Sequence, residues 1–244
     1  VYDYLVDIDT ESNIVPRLAT DWSAGDGGLT YTFKLAEGVK WHDGSDFSAA
    51  DVAWTFDRLR STEGTPTADL YTNIESVEAT GDLEVTFKLS EPNSFFLYDL
   101  SDNHALILKE GTEDADTNFN GTGPFKVENY SPEDRISLVA NDDYFEGRPN
   151  IDRVVYRVIP DQSTMFLELQ AGGLDFMGMT PIQYTTQTDT PAFKKNFNKF
   201  RYIAFGYTYL GYNLKKELFK DKRVRQALSY AVNKQEIIDG VLLG

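Results

Sequence analysis

Two stretches of this chain carry nearly the same phrase, TYTFKLA at 30–36 and LEVTFKL at 83–89. Both alternate strictly. Tyr31, Phe33 and Leu35 fall on one side of the first, with Thr30, Thr32 and Lys34 on the other. In the second, Leu83, Val85, Phe87 and Leu89 oppose Glu84, Thr86 and Lys88. A period of two is the mark of a strand with one buried face and one wet face. A true internal repeat would share more than one phrase, so the pair predicts two strands of one antiparallel sheet.

Between them runs KWHDGSDFSAADVAWTFDRLR, residues 40–60. Gly44 supplies a turn. Ser48 stands as a helix N-cap with Asp51 reaching back from the third helical position, a capping-box variant. Val52, Phe56 and Leu59 then share one helical face. His42 and Asp43 are therefore expected where a strand ends and a turn begins. Further on, EGTEDADTNFNGTGP (110–124) is an acidic, glycine-rich connector. After it, FKVENY, ISLVA and RVVYRVI read as strands, and a helix is expected from about Ser163 to Ala171. GGLDFMGM (172–179) reads as turn then strand, and NKFRYIAFGYTYLGYNL (198–214) as one long strand or a pair. Asp221 opens a helix with Val224, Leu228 and Ala231 on one face, and Asn233 with Glu236 forms a second capping box. Strands and helices mixed in this order predict an α/β fold.

Composition removes several function classes. Thirty-nine acidic residues against 23 basic ones give a formal charge of -16. That surface repels phosphates, so nucleic acid and anionic membranes are not expected partners. The chain has no cysteine, which eliminates thiolate nucleophiles, disulfides and cysteine-held metal sites. No apolar run is long enough to span a bilayer.

The motifs that could carry chemistry fall short of it. His42 with Asp43 and Asp46 lacks the third or fourth ligand of a metal site and the nucleophile of a hydrolytic triad, so an architectural role is expected. Neither a GxSxG elbow nor HExxH occurs. DTNFNG (116–121) places Asp116, Asn118, Asn120 and Gly121 like half an EF-hand loop, but the twelfth position is Val127 instead of a bidentate glutamate. GTGPF lacks the lysine and helix of a phosphate loop. No catalytic residue, metal or cofactor is expected. Tyr202, Tyr207, Tyr209 and Tyr212 crowd one extended segment, where they either fill a core or offer a ligand a flat platform with hydroxyl handles.

Six phrases in order resemble the family of extracellular solute-binding proteins that serve peptide and nickel ABC importers. They are IVPRLATDW (14–22), LTYTFKLAEGVKWHDGSDFSAADVAWTFDRL (29–59), GTGPFKV (121–127), NDDYFEGRPNIDRVVYRVIPD (141–161), GGLDFM (172–177) and DKRVRQALSYAVNKQEIIDGVLLG (221–244). The resemblance implies a two-lobed clamp of the class II periplasmic binding protein type, with mixed sheets and a small insertion lobe, truncated here at both ends. It places the insertion lobe at 1–107, the first lobe at 108–205, and the crossover and start of the second large lobe at 206–244. It implies a non-catalytic receptor, periplasmic or extracellular and membrane-anchored, that delivers peptides to an ABC permease. A receptor for a nickel complex, opine or oligosaccharide, or a ligand-sensing regulatory module, is the alternative on the same scaffold. On this reading the solute is expected to meet Asp102, Asn103 and His104 at the edge of the small lobe, Thr180 and Tyr184 after the LDFMGM segment, and Tyr209 and Tyr212 at the crossover.

Overall fold

A computed structural model describes residues 1–61, 66–114, 117–201 and 207–243. The chain divides into two compact units, Val1–Val158 and Ile159–Gly244. In the first, a short hairpin of β1 (Val6–Ile8) and β2 (Ile14–Pro16) precedes β3 (Ala19–Gly25) and β4 (Thr30–Leu35). Helix α1 (Ala49–Ser61) and the short α2 (Pro66–Leu70) follow, then β5 (Ile74–Gly81), β6 (Glu84–Leu89) and the single turn α3 (Phe96–Asp99). A meander of β7 (Phe125–Ser131), β8 (Arg135–Ala140) and β9 (Arg153–Arg157) completes the unit.

The two matched phrases pair with each other. β4 and β6 are antiparallel neighbours at the centre of a sheet ordered β3-β4-β6-β5, with Phe33 opposite Val85 and Tyr31 opposite Phe87. Their apolar faces close the main core: Phe33, Val85 and Phe87 are fully buried, while Lys34 and Lys88 stay outside. α1 covers this face with Val52 and Phe56, and Phe87 meets Phe33, Phe56 and Phe96 edge-on at 5.0–5.5 Å. Edge-to-face rings suit the aromatic quadrupole, and each buried phenylalanine contributes about 1.5–3 kcal/mol of transfer free energy. On the wet face the Thr32 and Thr86 hydroxyls meet at 3.1 Å.

The start of α1 is held by Asp51 and not by the expected Ser48 side-chain cap, since the Ser48 hydroxyl donates to that carboxylate at 3.3 Å. Asp51 accepts the Ser48 N–H at 2.8 Å, as the capping-box pattern requires. It also accepts the Trp41 indole N–H at 3.3 Å and the Glu110 N–H at 2.8 Å. One buried carboxylate thus ties the helix start, the preceding turn and the connector together.

In the second unit α4 spans Gln162–Ala171, capped by the Asp161 side chain, which accepts the Thr164 N–H at 2.7 Å. It stops at Gly172, whose φ of 80° is a left-handed stop that glycine adopts without strain. Helices α5 (Pro191–Asn196), α6 (Glu217–Lys220), α7 (Lys222–Ala231) and α8 (Lys234–Ile237) follow, with π-helical turns at Gln183–Gln187 and Ile238–Leu242. Both expected caps are present, since the Asp221 carboxylate accepts the Arg223 N–H and Asn233 Oδ1 accepts the Glu236 N–H. A small core forms from Phe166, Leu169 and Phe193, with Leu174, Met177 and Met179 against it.

Two expected strands are not strands. After the turn at Gly172, residues 174–179 run irregularly, and Phe176 is exposed. Residues 207–214 likewise form no strand, while 202–206, including Tyr202, lie outside the described residues. Both segments alternate in sequence but have no ladder partner among the described residues, and a strand exists only by pairing.

Candidate functional site

The histidine turn is built as a fastener. The His42 N–H donates to the Gly121 carbonyl at 2.8 Å, and ring Nε2 lies 2.9 Å from the Gly123 carbonyl. The Gly121 N–H points at Nδ1 from 3.4 Å. A neutral ring protonated on Nε2 serves both contacts at once. Burial pushes the imidazole pKa below its ordinary value, favouring that neutral form. Asp43 accepts Lys109 Nζ at 2.8 Å, Asn120 Nδ2 at 2.9 Å and the Ser45 hydroxyl at 2.6 Å. The Lys109 bond above all holds its carboxyl well below the usual carboxylate range. Asp46 turns away to pair with Lys40. The three residues therefore do not converge: His42 and Asp43 hold the loop at 119–123, and Asp46 is taken up by Lys40.

That loop lies tightly over the first residues. The Gly123 N–H donates to the Val1 carbonyl at 2.7 Å. A Cβ on Gly121 would stand 2.1 Å from the Val1 oxygen, and one on Gly123 2.6 Å from the Val1 carbonyl carbon. Only glycine fits at either position. Beneath, the buried Asp3 carboxylate accepts the Thr122 hydroxyl at 3.0 Å and the Tyr144 hydroxyl at 3.3 Å. In the half-EF-hand stretch Asp116 lies outside the described residues, and Asn120 serves Asp43. Among the described residues no three His, Asp or Glu side chains are grouped to hold a metal ion.

The residues expected to face a solute fall into separate groups. Asp102, Asn103 and His104 share one exposed turn after α3. Asp102 Oδ1 accepts the His104 N–H at 3.0 Å and lies 3.8 Å from its ring Nε2. Asn103 Oδ1 accepts the Tyr4 hydroxyl at 3.0 Å. Thr180 and Tyr184 flank the start of the first π-helical turn: Thr180 Oγ1 accepts the Gln183 N–H, and the Tyr184 N–H donates to the Thr180 carbonyl. Tyr209 stands beside Tyr207 with ring centroids 5.6 Å apart, and both are exposed. Tyr212 is separate, its ring 5.4 Å from Phe219.

The sequence gives no warning of Lys199. Its Nζ donates to the Tyr184 carbonyl at 2.8 Å and the Thr188 hydroxyl at 2.9 Å, and sits 4.5 Å from the centre of the Tyr184 ring. Tyr184 is thereby held in place by a cation fifteen residues downstream, a distance at which no local motif operates. Close by is a pocket of about 740 Å³ lined by Phe176, Met177, Met179, Tyr184, Phe197 and Phe200 among others.

Comparison with known proteins places this architecture. Residues 13–244 match the family model described as bacterial extracellular solute-binding proteins, family 5 middle. The oligopeptide-binding protein AppA of Bacillus subtilis is 38% identical, over all of this chain and 46% of its own length. The dipeptide-binding protein of Escherichia coli is 34% identical, over all of this chain and 50% of its own. Among solved structures, AppA of Bacillus subtilis in complex with a nonapeptide superposes with a TM-score of 0.88 at 37% identity, covering 100% of this chain and 50% of that one. NikZ of Campylobacter jejuni in complex with Ni(L-His) gives 0.87 at 28% identity, covering 98% and 49%. The chain thus spans about half the length of the relatives it matches. It belongs to family 5 of the bacterial extracellular solute-binding proteins.

Proposed function

We propose that this chain is part of the substrate-binding component of an ABC importer, one that captures peptides outside the cytoplasm and delivers them to a membrane permease. The observation that carries this reading is the joint sequence and fold similarity to an oligopeptide-binding protein holding a nonapeptide. A second reading, a nickel chelate as solute, is favoured by the comparable superposition on the Ni(L-His) complex. On either reading the protein acts by binding and not by catalysis, and it works on the outer side of the membrane, anchored there. The lobes are assigned as 1–107, 108–205 and 206–244. Ligand-facing residues are Asp102, Asn103 and His104 in the first compact unit, and Thr180, Tyr184, Tyr209 and Tyr212 in the second. Exposure supports the first group and Tyr209, and the Lys199 clamp on Tyr184 supports the second.

Mass spectrometry of the complete polypeptide, purified without refolding, tests the proposal. A co-purifying peptide is expected. A nickel chelate, opine, sugar or haem in its place would overturn the peptide assignment. Single alanine substitutions at the seven positions, followed by calorimetry with the identified solute, test the site. Unchanged affinity in all seven would remove it.

A further inference from the structure

The stretch DTNFNG (116–121) falls short of an EF-hand loop but ends in a reactive pair. Of the asparagines in the chain only Asn120 is followed by glycine. In such a pair the next backbone nitrogen can reach the side-chain carbonyl carbon, because glycine carries no Cβ to obstruct the approach. The Gly121 nitrogen then attacks Asn120 Cγ and the Cγ–Nδ2 bond breaks. Nδ2 leaves as ammonia with the proton that the Gly121 nitrogen gives up. Water opens the resulting cyclic imide to aspartate or isoaspartate, and the new carboxylic acid releases a proton.

The fold engages every atom of that reaction elsewhere. Asn120 Nδ2 donates to Asp43 Oδ2 at 2.9 Å, and its Oδ1 accepts the Asp43 N–H at 3.1 Å. The Gly121 N–H points at His42 Nδ1 from 3.4 Å, and the Gly121 carbonyl accepts the His42 N–H at 2.8 Å. Ring closure turns the side-chain amide back onto its own backbone and breaks both Asp43 bonds. Gly121 is also buried against Val1 and Tyr2, and close packing there resists the backbone movement that a ring demands.

The product cannot take the place of the reactant. Aspartate at position 120 lacks the Nδ2 donor and sets a second carboxylate against Asp43, with Lys109 the cation between them. Like charges at that separation repel. Isoaspartate in addition inserts a methylene into the backbone just ahead of Gly121 and Gly123, whose fit against Val1 has no room even for a Cβ.

We propose that Asn120-Gly121 is a spontaneous deamidation site that the closed 119–123 loop shields, and that its reaction in an opened loop prevents residues 1–5 from docking again. Opening is reversible before the reaction and permanent after it, whichever solute the protein carries.

The test incubates the complete polypeptide in mildly alkaline buffer, folded and in guanidinium chloride. Residue 120 is followed by peptide mapping with mass spectrometry and isoaspartyl methyltransferase labelling. Protection follows the population of the open loop, so deamidation should be at least about tenfold slower in the folded protein. Asp43→Ala, which frees the Asn120 amide, should bring the folded rate towards the unfolded one. In Asn120→Asp, which carries the product without the reaction, the Gly123 N–H should exchange about tenfold faster than in the wild type while the β4 and β6 amides keep their rates. Equal rates in the folded and unfolded wild type would overturn the shielding, and an unchanged folded rate in Asp43→Ala would overturn the part given to Asp43. No conversion at residue 120 in guanidinium chloride would remove the site. Wild-type exchange at Gly123 in Asn120→Asp would remove the consequence for residues 1–5.

Discussion

Replacing Asp51 is the sharpest probe of how the first unit is held. The residue is 5% exposed, and its carboxylate accepts from Ser48 N, Trp41 Nε1 and Glu110 N. The two backbone contacts are 2.8 Å and charge-assisted, the class that contributes about 1.5–3 kcal/mol each. The indole contact at 3.3 Å is long and adds little. Glu110 is exposed, so water can serve its amide once the carboxylate is gone, whereas the Trp41 N–H and the partly buried Ser48 amide are left poorly served. Asp51→Ala should therefore cost about 3–4 kcal/mol. Asp51→Asn should cost about half that, since its amide oxygen can still accept one backbone N–H while its NH₂ faces another donor. Urea unfolding followed by tryptophan fluorescence reports on this unit, because Trp22, Trp41 and Trp54 all lie in it. A loss below about 1 kcal/mol for Asp51→Ala would refute the reasoning, because a buried carboxylate that accepts from Ser48 N, Ser48 Oγ, Trp41 Nε1 and Glu110 N cannot be that cheap to remove.

Other outcomes follow from the same geometry. Because the folded state lowers the His42 pKa, the unfolded chain binds more protons just below the ordinary histidine value. Stability should then fall as pH drops from about 6.5, and His42→Asn should flatten that fall in Tm scans at pH 7.5 and 5.5 without changing solute affinity. Asp3 acts in the opposite sense: burial raises its pKa, so its contribution is largest in acid and declines as pH rises through the folded value, and Asp3→Asn should remove that decline. Gly123→Ala should destabilise by about 1–3 kcal/mol through overlap with Val1, while Gly178→Ala, with open space around it, should stay within about 0.5 kcal/mol by thermal denaturation. Lys199→Met removes two hydrogen bonds and a cation–π contact, and should increase amide exchange around Tyr184 and Thr188 at a cost of about 1–2 kcal/mol.

What the sequence disclosed was local. The alternation at 30–35 and 84–89 located the central strand pair, and Asp221 and Asn233 lie within three residues of the helices they cap, whereas the cap at Asp161 was not foreseen. Alternation misled at 174–179 and 207–214, because it records which side chains want burial and not whether a neighbouring strand exists to pair with. The contacts that decide the roles of His42 and Asp43 were illegible for a different reason. Gly121, Gly123, Lys109 and Asn120 lie tens of residues away, and nothing in a linear pattern says that a histidine will meet two glycine backbones. The same holds for Lys199 on Tyr184. The pocket beside Tyr184 likewise needed three-dimensional neighbours to be seen at all.

The bond from Gly123 to the Val1 carbonyl has a kinetic consequence. It joins chain positions roughly 120 residues apart, and each doubling of a flexible loop adds about 0.6 kcal/mol to the entropy of closing it. Closing it from an unfolded chain would meet that full closure entropy for the sake of a few contacts. Once β3–β6 have assembled with α1, most of that stretch is already organised and the remaining loop is short. Docking of residues 1–5 beneath the 119–123 loop should therefore come late in folding and be the first structure released on unfolding. Amide exchange would register this directly. The Gly123 N–H should open at a lower free energy than the β4 and β6 amides, so that residues 1–5 come away from the 119–123 loop while the sheet is still intact.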